Sequence, residues 1–299
     1  MELPTLAVAV AIYAGWLALT WWHAAIPVPL LAALGGIVIA WHGSLQHETI
    51  HGHPTGSNAL NAAIGFAPLS LWLPYSIYRR SHRDHHATPR ITDPQLDPES
   101  QYHAAPSGWR YRLARIEAAL AARLLLGPPI RIGLFLVDEV RRAFATPREW
   151  ARDWLPHLAA LVPLFWWLDH VGLSVSTYLI AFVYPGAALS LLRSFAEHRA
   201  DSAADKRAAI VRRGGLLGLL FLNNNLHAVH HARPDLSWYR LPAYFRVHHA
   251  HFAQAPHYES YGAILRMFLW RAQDDVLHPD FNSHLRMGPR SARPQDAAA

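Results

Sequence analysis

No lysine or arginine occurs before Arg79, and none lies between Arg152 and Arg193. Four apolar runs fall inside or against these two stretches, at 5–22, 26–42, 154–173 and 174–192. Each approaches the ~20 residues that a helix needs to cross a hydrocarbon core. Such runs leave few options, because backbone polar groups in lipid have to be paired within their own segment. The runs follow one another in pairs, and the links hold no basic residue. The sequence therefore predicts an all-α integral membrane protein, with four transmembrane helices in two hairpins. All 27 basic residues lie in 79–152 and 193–299, the segments expected on the cytoplasmic side. Trp21, Trp22, Trp41, Trp154 and Trp166 stand near span ends, as an interfacial aromatic belt would.

The segments between the spans carry other signals. The N-terminus has no basic region and no small-residue cleavage pattern, so 5–22 reads as an uncleaved first helix. Residues 58–78 are apolar but broken by Pro68 and Pro74, which suits a re-entrant or interfacial piece. Thr92-Asp-Pro and Asp97-Pro-Glu-Ser read as turns. Residues 107–145 mix arginine with leucine and aromatics, as two amphipathic helices in the interface would. One domain is expected over 1–285, with a disordered tail over 286–299.

Histidines cluster where the spans end. The clusters are His47-Glu-Thr-Ile-His51, His82-Arg-Asp-His85-His86 and His227-Ala-Val-His230-His231, with a single His198 just past the last span. Neutral imidazole is the commonest side-chain metal ligand. Nine exceed what one ion can use and suit two ions with positions left open. Residues at i and i+4 share one helix face, and a close pair such as His85-His86 lets one short helix serve two ions. Both hairpins deliver their histidines to one side of the membrane, into a helical cap holding a di-metal site. All-imidazole ligation suits iron, copper, nickel or zinc. Glu48, Asp84 and Glu197 each neighbour a candidate ligand and could orient its ring, as could Asp93 and Asp97.

The chain has no cysteine. That excludes disulfides, thiolate zinc sites, iron–sulfur clusters and a cysteine nucleophile in this chain, so electrons for redox chemistry have to come from a partner. Net charge is +6, but the arginines are scattered among aromatics beside membrane segments, which argues against nucleic acid. The composition of 26 Arg and one Lys suggests a GC-rich bacterial genome, and hence the inner membrane.

These boxes resemble those of the membrane fatty-acid desaturases, in the wider superfamily with acyl hydroxylases, alkane monooxygenases and carotenoid ketolases. The family pattern H-x(3–4)-H, H-x(2–3)-H-H and H/Q-x(2–3)-H-H is matched by His47/His51, His82/His85/His86 and His227/His230/His231. The resemblance covers roughly residues 10–250. It implies two irons, dioxygen as co-substrate, a lipid or acyl substrate, and a ferredoxin-, rubredoxin- or cytochrome-like electron donor. It also implies a ligand role for His198, which matches the family's further histidine. Acyl-CoA desaturases carry an asparagine four residues before that histidine, where this chain has Ser194.

The expected reaction is therefore oxygen-dependent desaturation of a fatty acyl chain. A di-iron hydroxylase or ketolase of a carotenoid, alkane or acyl lipid is the alternative. His47-Glu48-x-x-His51 is also a literal HExxH zinc-protease motif, but a protease leaves the two H-x-x-H-H boxes unexplained. His248, His249 and His251 read as part of a basic tail, and Asn223 to Asn225 as a helix cap or a partner to a ring in the site. His23, His157 and His170 read as interfacial, and His42 as pointing off the His47 face.

Overall fold

The structure is a computed structural model, and it describes residues 1–281. The expected tail, 286–299, lies outside the described residues. In chain order the helices are α1 (Leu3–Trp21), α2 (Val28–Ile50), α3 (Asn58–Gly65), α4 (Tyr75–Ala87), α5 (Gly108–Ile116), α6 (Leu120–Ala145) and α7 (Pro147–His170). The next span, Val175–Glu197, is α8 (Val175–Tyr178), a wider π turn at Leu179–Val183, and α9 (Tyr184–Glu197). Short helices α10 (Gly215–Leu220), α11 (His227–Ala232), α12 (Leu241–His248) and α13 (Tyr261–Phe268) complete the helical set. Strands β1 (Ile210–Arg213) and β2 (His257–Ser260) pair in parallel, with Ile210 opposite His257 and Val211 opposite Tyr258. This small sheet is an addition to the expected all-helical architecture.

Among the described residues, four helices are long and apolar enough to cross a membrane: α1, α2, α6 and the 175–197 segment. The expected span 154–173 falls in α7, which is not one of these four because it carries Arg148, Glu149, Arg152, Asp153 and Asp169, whereas α6, expected as interfacial, is one of them. Contacts distinguish the role of α6. Near its start, Arg123 donates to Gln101 at 2.6 Å and to the Glu117 carbonyl at 3.2 Å. At its end, Arg142 donates to Asp153 at 2.8 Å, and Asp153 is also held by Arg80 of α4. Both ends are thus tied to segments that flank the histidine boxes. That arrangement fits a helix lying along the membrane face, as the arginines in 107–145 predict. Pro128 and Pro129 sit inside α6 without ending it.

The core between the spans is set by glycine. A Cβ on Gly36 would lie 2.7 Å from the Pro185 Cβ, and one on Gly186 would lie 2.5 Å from the Ile39 Cβ. Residue numbers rise together across this crossing, so α2 and α9 run parallel and bring their C-terminal ends to one place. Small residues allow this close backbone approach where lipid offers no hydrophobic drive. Gly186→Ala is expected to cost about 1–3 kcal/mol through overpacking. It should appear as a lower thermal midpoint of the detergent-solubilised protein, and an unchanged midpoint would argue against the tight crossing.

The apolar piece 58–78 is α3 followed by irregular chain, not a span. Its carbonyls are satisfied by side chains from neighbouring helices. Gln46 donates to the Gly65 carbonyl at 2.8 Å, Tyr178 to Leu69 at 2.7 Å, and His157 Nε2 to Leu71 at 2.8 Å. Irregular backbone is tolerated beside a membrane when protein pairs its polar groups in this way. His157 is therefore buried within α7 and not interfacial, correcting the reading from its position along the chain.

Candidate metal centre

Each histidine box sits where a helix aims it inward. The last turn of α2 and the residue after it hold His47 and His51. Helix α4 holds His82, His85 and His86, and α11 holds His227, His230 and His231. His198 follows the last residue of α9. Helix α11 has only six residues, too short to be stable alone. It is anchored by fully buried Val229 and by the Ala228 N–H, which donates to the Ala209 carbonyl at 3.1 Å beside β1.

The nine side chains form two groups. His47, His51, His82, His86 and His230 make one, and His85, His198, His227 and His231 make the other. Within each group the ligating nitrogens lie within 4.8 Å of one another. The H-x-x-H-H spacing explains the division. First and last histidines, at i and i+4, share a helix face and enter the same group. The middle one reaches across to the other group, in α4 and again in α11.

The ring nitrogens show what belongs between them. His198 Nδ1 lies 3.2 Å from the Arg207 carbonyl, which can only accept, so Nδ1 carries the hydrogen and Nε2 the lone pair. His82 Nδ1 lies 3.2 Å from Glu99, and His85 Nδ1 lies 2.7 Å from Asp97, with the same consequence. The freed Nε2 atoms face other Nε2 atoms: His198 to His227 at 2.8 Å, His82 to His51 at 2.9 Å, and His85 to His231 at 3.2 Å. A cation placed between them would take a lone pair from every ring of a group at once. His47 Nε2 is also buried without a partner. The donor set fits two metal ions, one with five imidazoles and one with four.

Protonation agrees. Burial, with neighbouring imidazoles adding to it, pushes His86 and His198 down to about 3. Burial likewise lowers His51, His82, His227, His230 and His231, so these rings are neutral donors at neutral pH. His85 departs from the rest. Burial pulls it down, but the Asp97 carboxylate more than offsets this and raises it. A carboxylate behind an imidazole makes it a stronger ligand.

The acidic neighbours divide unevenly. Asp97 holds His85, as its position in the sequence allows. Glu197 stands 3.8 Å from His227 Nδ1 and is bonded by Arg193 and by Asn224 Nδ2. Glu48 Oε1 stands 3.8 Å from His47 Nδ1, while its Oε2 accepts the Trp238 N–H at 3.1 Å. Asp93 accepts the Gln95 N–H at 2.9 Å. Asp84 is exposed on the outer face of α4. Glu99 was not among the sequence candidates, although it stands two residues past Asp97 in the same turn. Asn223 and Asn225 bond the carbonyls of Trp238 and Val211, so among the three asparagines only Asn224 approaches the site, through Glu197. His248, His249 and His251 belong to neither group.

Residue Glu2 closes the far side. Its Oε1 accepts from Ser237 Oγ at 2.5 Å and from His53 Nδ1 at 3.0 Å, tying the start of α1 to the loop after α11. On the other side, a cavity of about 310 Å³ runs from Ile39 and Val183 to the histidines. It touches His85, His198 and His227 of the four-histidine group but only His82 of the five.

Comparison with known proteins agrees with this geometry. No curated protein matches the chain. The family model described as fatty acid desaturase matches residues 19–263, from within α1 to within α13, with all nine histidines inside the match. The chain belongs to the fatty acid desaturase family.

Proposed function

We propose that this protein is a di-iron oxidoreductase of the membrane that desaturates a fatty acyl chain with dioxygen, and that the nine histidines are its ligands. The observation that carries the reading is the division into five and four imidazoles at the inner end of one cavity. Two irons held there would supply the reduction of dioxygen and the removal of hydrogen from an unactivated C–H bond. Each turnover takes two hydrogens from adjacent carbons, reduces O2 to water, and draws two electrons and two protons from outside. With no cysteine in the chain, a ferredoxin-, rubredoxin- or cytochrome-like partner supplies the electrons.

The chain's own residues hold and tune the site. Asp97, Glu99 and the Arg207 carbonyl keep Nδ1 protonated on three rings, which leaves Nε2 free to ligate. The cavity wall excludes bulk water and presents the substrate to the four-histidine side. Positive residues flank the boxes, so the histidines face the cytoplasm, in a bacterial inner membrane. The protease reading loses support, because Glu48 is absent from the cavity wall, where a general base would meet the substrate.

The test is mass spectrometry of total lipid from a bacterial host expressing the chain, against a His86→Ala control. Acyl chains lighter by two hydrogens are expected. A gain of one oxygen would replace desaturation by hydroxylation or ketone formation on the same metal pair. A single zinc per chain would remove the di-iron reading altogether.

A further inference from the structure

The cavity is not lined as a passage for a plain hydrocarbon tail would be. Its membrane side is apolar, with Ile39, Ile132, Val183 and Leu191. Its inner end carries Arg193 and Glu197, one turn apart on α9. The Arg193 side chain is 12% exposed, and its Nε donates to Glu197 Oε1 at 2.6 Å. The same oxygen accepts Asn224 Nδ2 at 2.5 Å. That pairing neutralises the guanidinium but uses one of its five donors. The Tyr78 hydroxyl approaches the group from the same cavity wall. Among the described residues no carboxylate or carbonyl caps the two Nη groups. Both Nη groups open onto the cavity instead of being sealed in protein, and donors facing a confined, largely apolar space favour an acceptor there. The fork they form matches two oxygens of a carboxylate, or one strongly polarised carbonyl.

The geometry points to Arg193 as a receptor for a carbonyl-type oxygen of the substrate, free as a ketone or as part of a carboxylate. His82, His85 and His227 line the same cavity as Arg193, so the carbon oxidised lies close to that oxygen. The substrate is then a chain whose polar group enters the site, and not one that threads only methylenes past the metals. This rests on the proposed reading of the cavity as the substrate site of a di-iron oxidase.

The test uses the full-length, iron-loaded protein in lipid nanodiscs and measures equilibrium binding of decane, 2-decanone and decanoate, with protein-free nanodiscs subtracted. The wild type should bind 2-decanone or decanoate about ten-fold or more tighter than decane, the worth of one hydrogen bond to a charged group. A preference for decanoate alone identifies a carboxylate, and a preference for both identifies a carbonyl oxygen. Arg193→Gln should level the three affinities while leaving decane unchanged. Where that variant does not fold, Arg193→Lys keeps the charge without the fork and should lose most of the preference. Equal wild-type affinities for the three probes overturn the inference without any variant. So does a preference that survives Arg193→Gln. Binding needs no turnover, so failure of the desaturase reading shows separately, as unchanged host lipids beside an intact binding preference.

Discussion

Replacing His86 with alanine is expected to lower turnover by at least ~100-fold, beyond what loss of a ring-orienting partner alone costs. The protein should still insert and remain folded. His86 Nε2 lies 3.1 Å from His230 Nε2, and its ring is within 4.6 Å of His51, so the truncation removes one of five converging donors. Metal content per chain should fall from about two toward one. The spans do not depend on this side chain, because the α2–α9 crossing is built from glycines elsewhere. His249→Ala serves as the control. His249 is exposed, its Nδ1 bonds only the Arg246 carbonyl at 3.3 Å, and its loss should leave both metal content and turnover near wild type. A His86→Ala protein with full activity would contradict the two-group arrangement, as would an inactive His249→Ala.

Asp97→Ala should weaken metal retention by about 10–100-fold, the usual cost of losing a carboxylate behind a metal-bound imidazole. Asp97 does two jobs. Its Oδ1 lies 2.7 Å from His85 Nδ1, and its oxygens accept the N–H groups of Thr92 at 2.6 Å and Glu99 at 2.8 Å. Burial tends to raise the Asp97 carboxyl, but His85 and those N–H groups outweigh it and keep the carboxyl below its usual value. The alanine variant loses the ring contact and the turn that places Glu99 against His82 together. Asp97→Asn retains the acceptor oxygen but not the charge, so it should fall between the two. The measurement is metal remaining per chain after dialysis against a graded chelator series. Retention by Asp97→Ala equal to wild type would remove Asp97 from the centre. The loss should fall first on the four-histidine group, to which His85 belongs.

The histidine boxes were legible in the sequence because helical periodicity converts spacing directly into direction. An i, i+4 pair has one possible meaning on a helix, and three such pairs at the ends of apolar runs leave little freedom. The first hairpin and the 175–197 span were legible for a similar reason, since the long stretches without lysine or arginine fall there. Glu99 and Arg193 were not legible as site residues. Glu99 lies in a turn, where no period says which way a side chain points. Arg193 looks like an ordinary basic residue closing a span, and only the packing of α4 and α9 around the cavity shows that it faces inward. His157 misled for the opposite reason. Its neighbours made it look interfacial, while a carbonyl of the irregular chain after α3 required a donor at that depth. Helix α6 is more apolar than α7, and its Arg123 and Arg142 are bonded near its two ends to Gln101 and Asp153.

The bond from Ser237 to Glu2 joins positions 235 apart. During synthesis the first helical hairpin is complete long before residue 237 leaves the ribosome. His47 and His51 must wait, in an unfinished pocket, for His230 to arrive from the last box. The five-histidine group therefore cannot close until residue 230 has been made. Any metal that this group holds would enter after the chain is nearly complete, which leaves an interval, after insertion and before loading, in which the protein is present but inert.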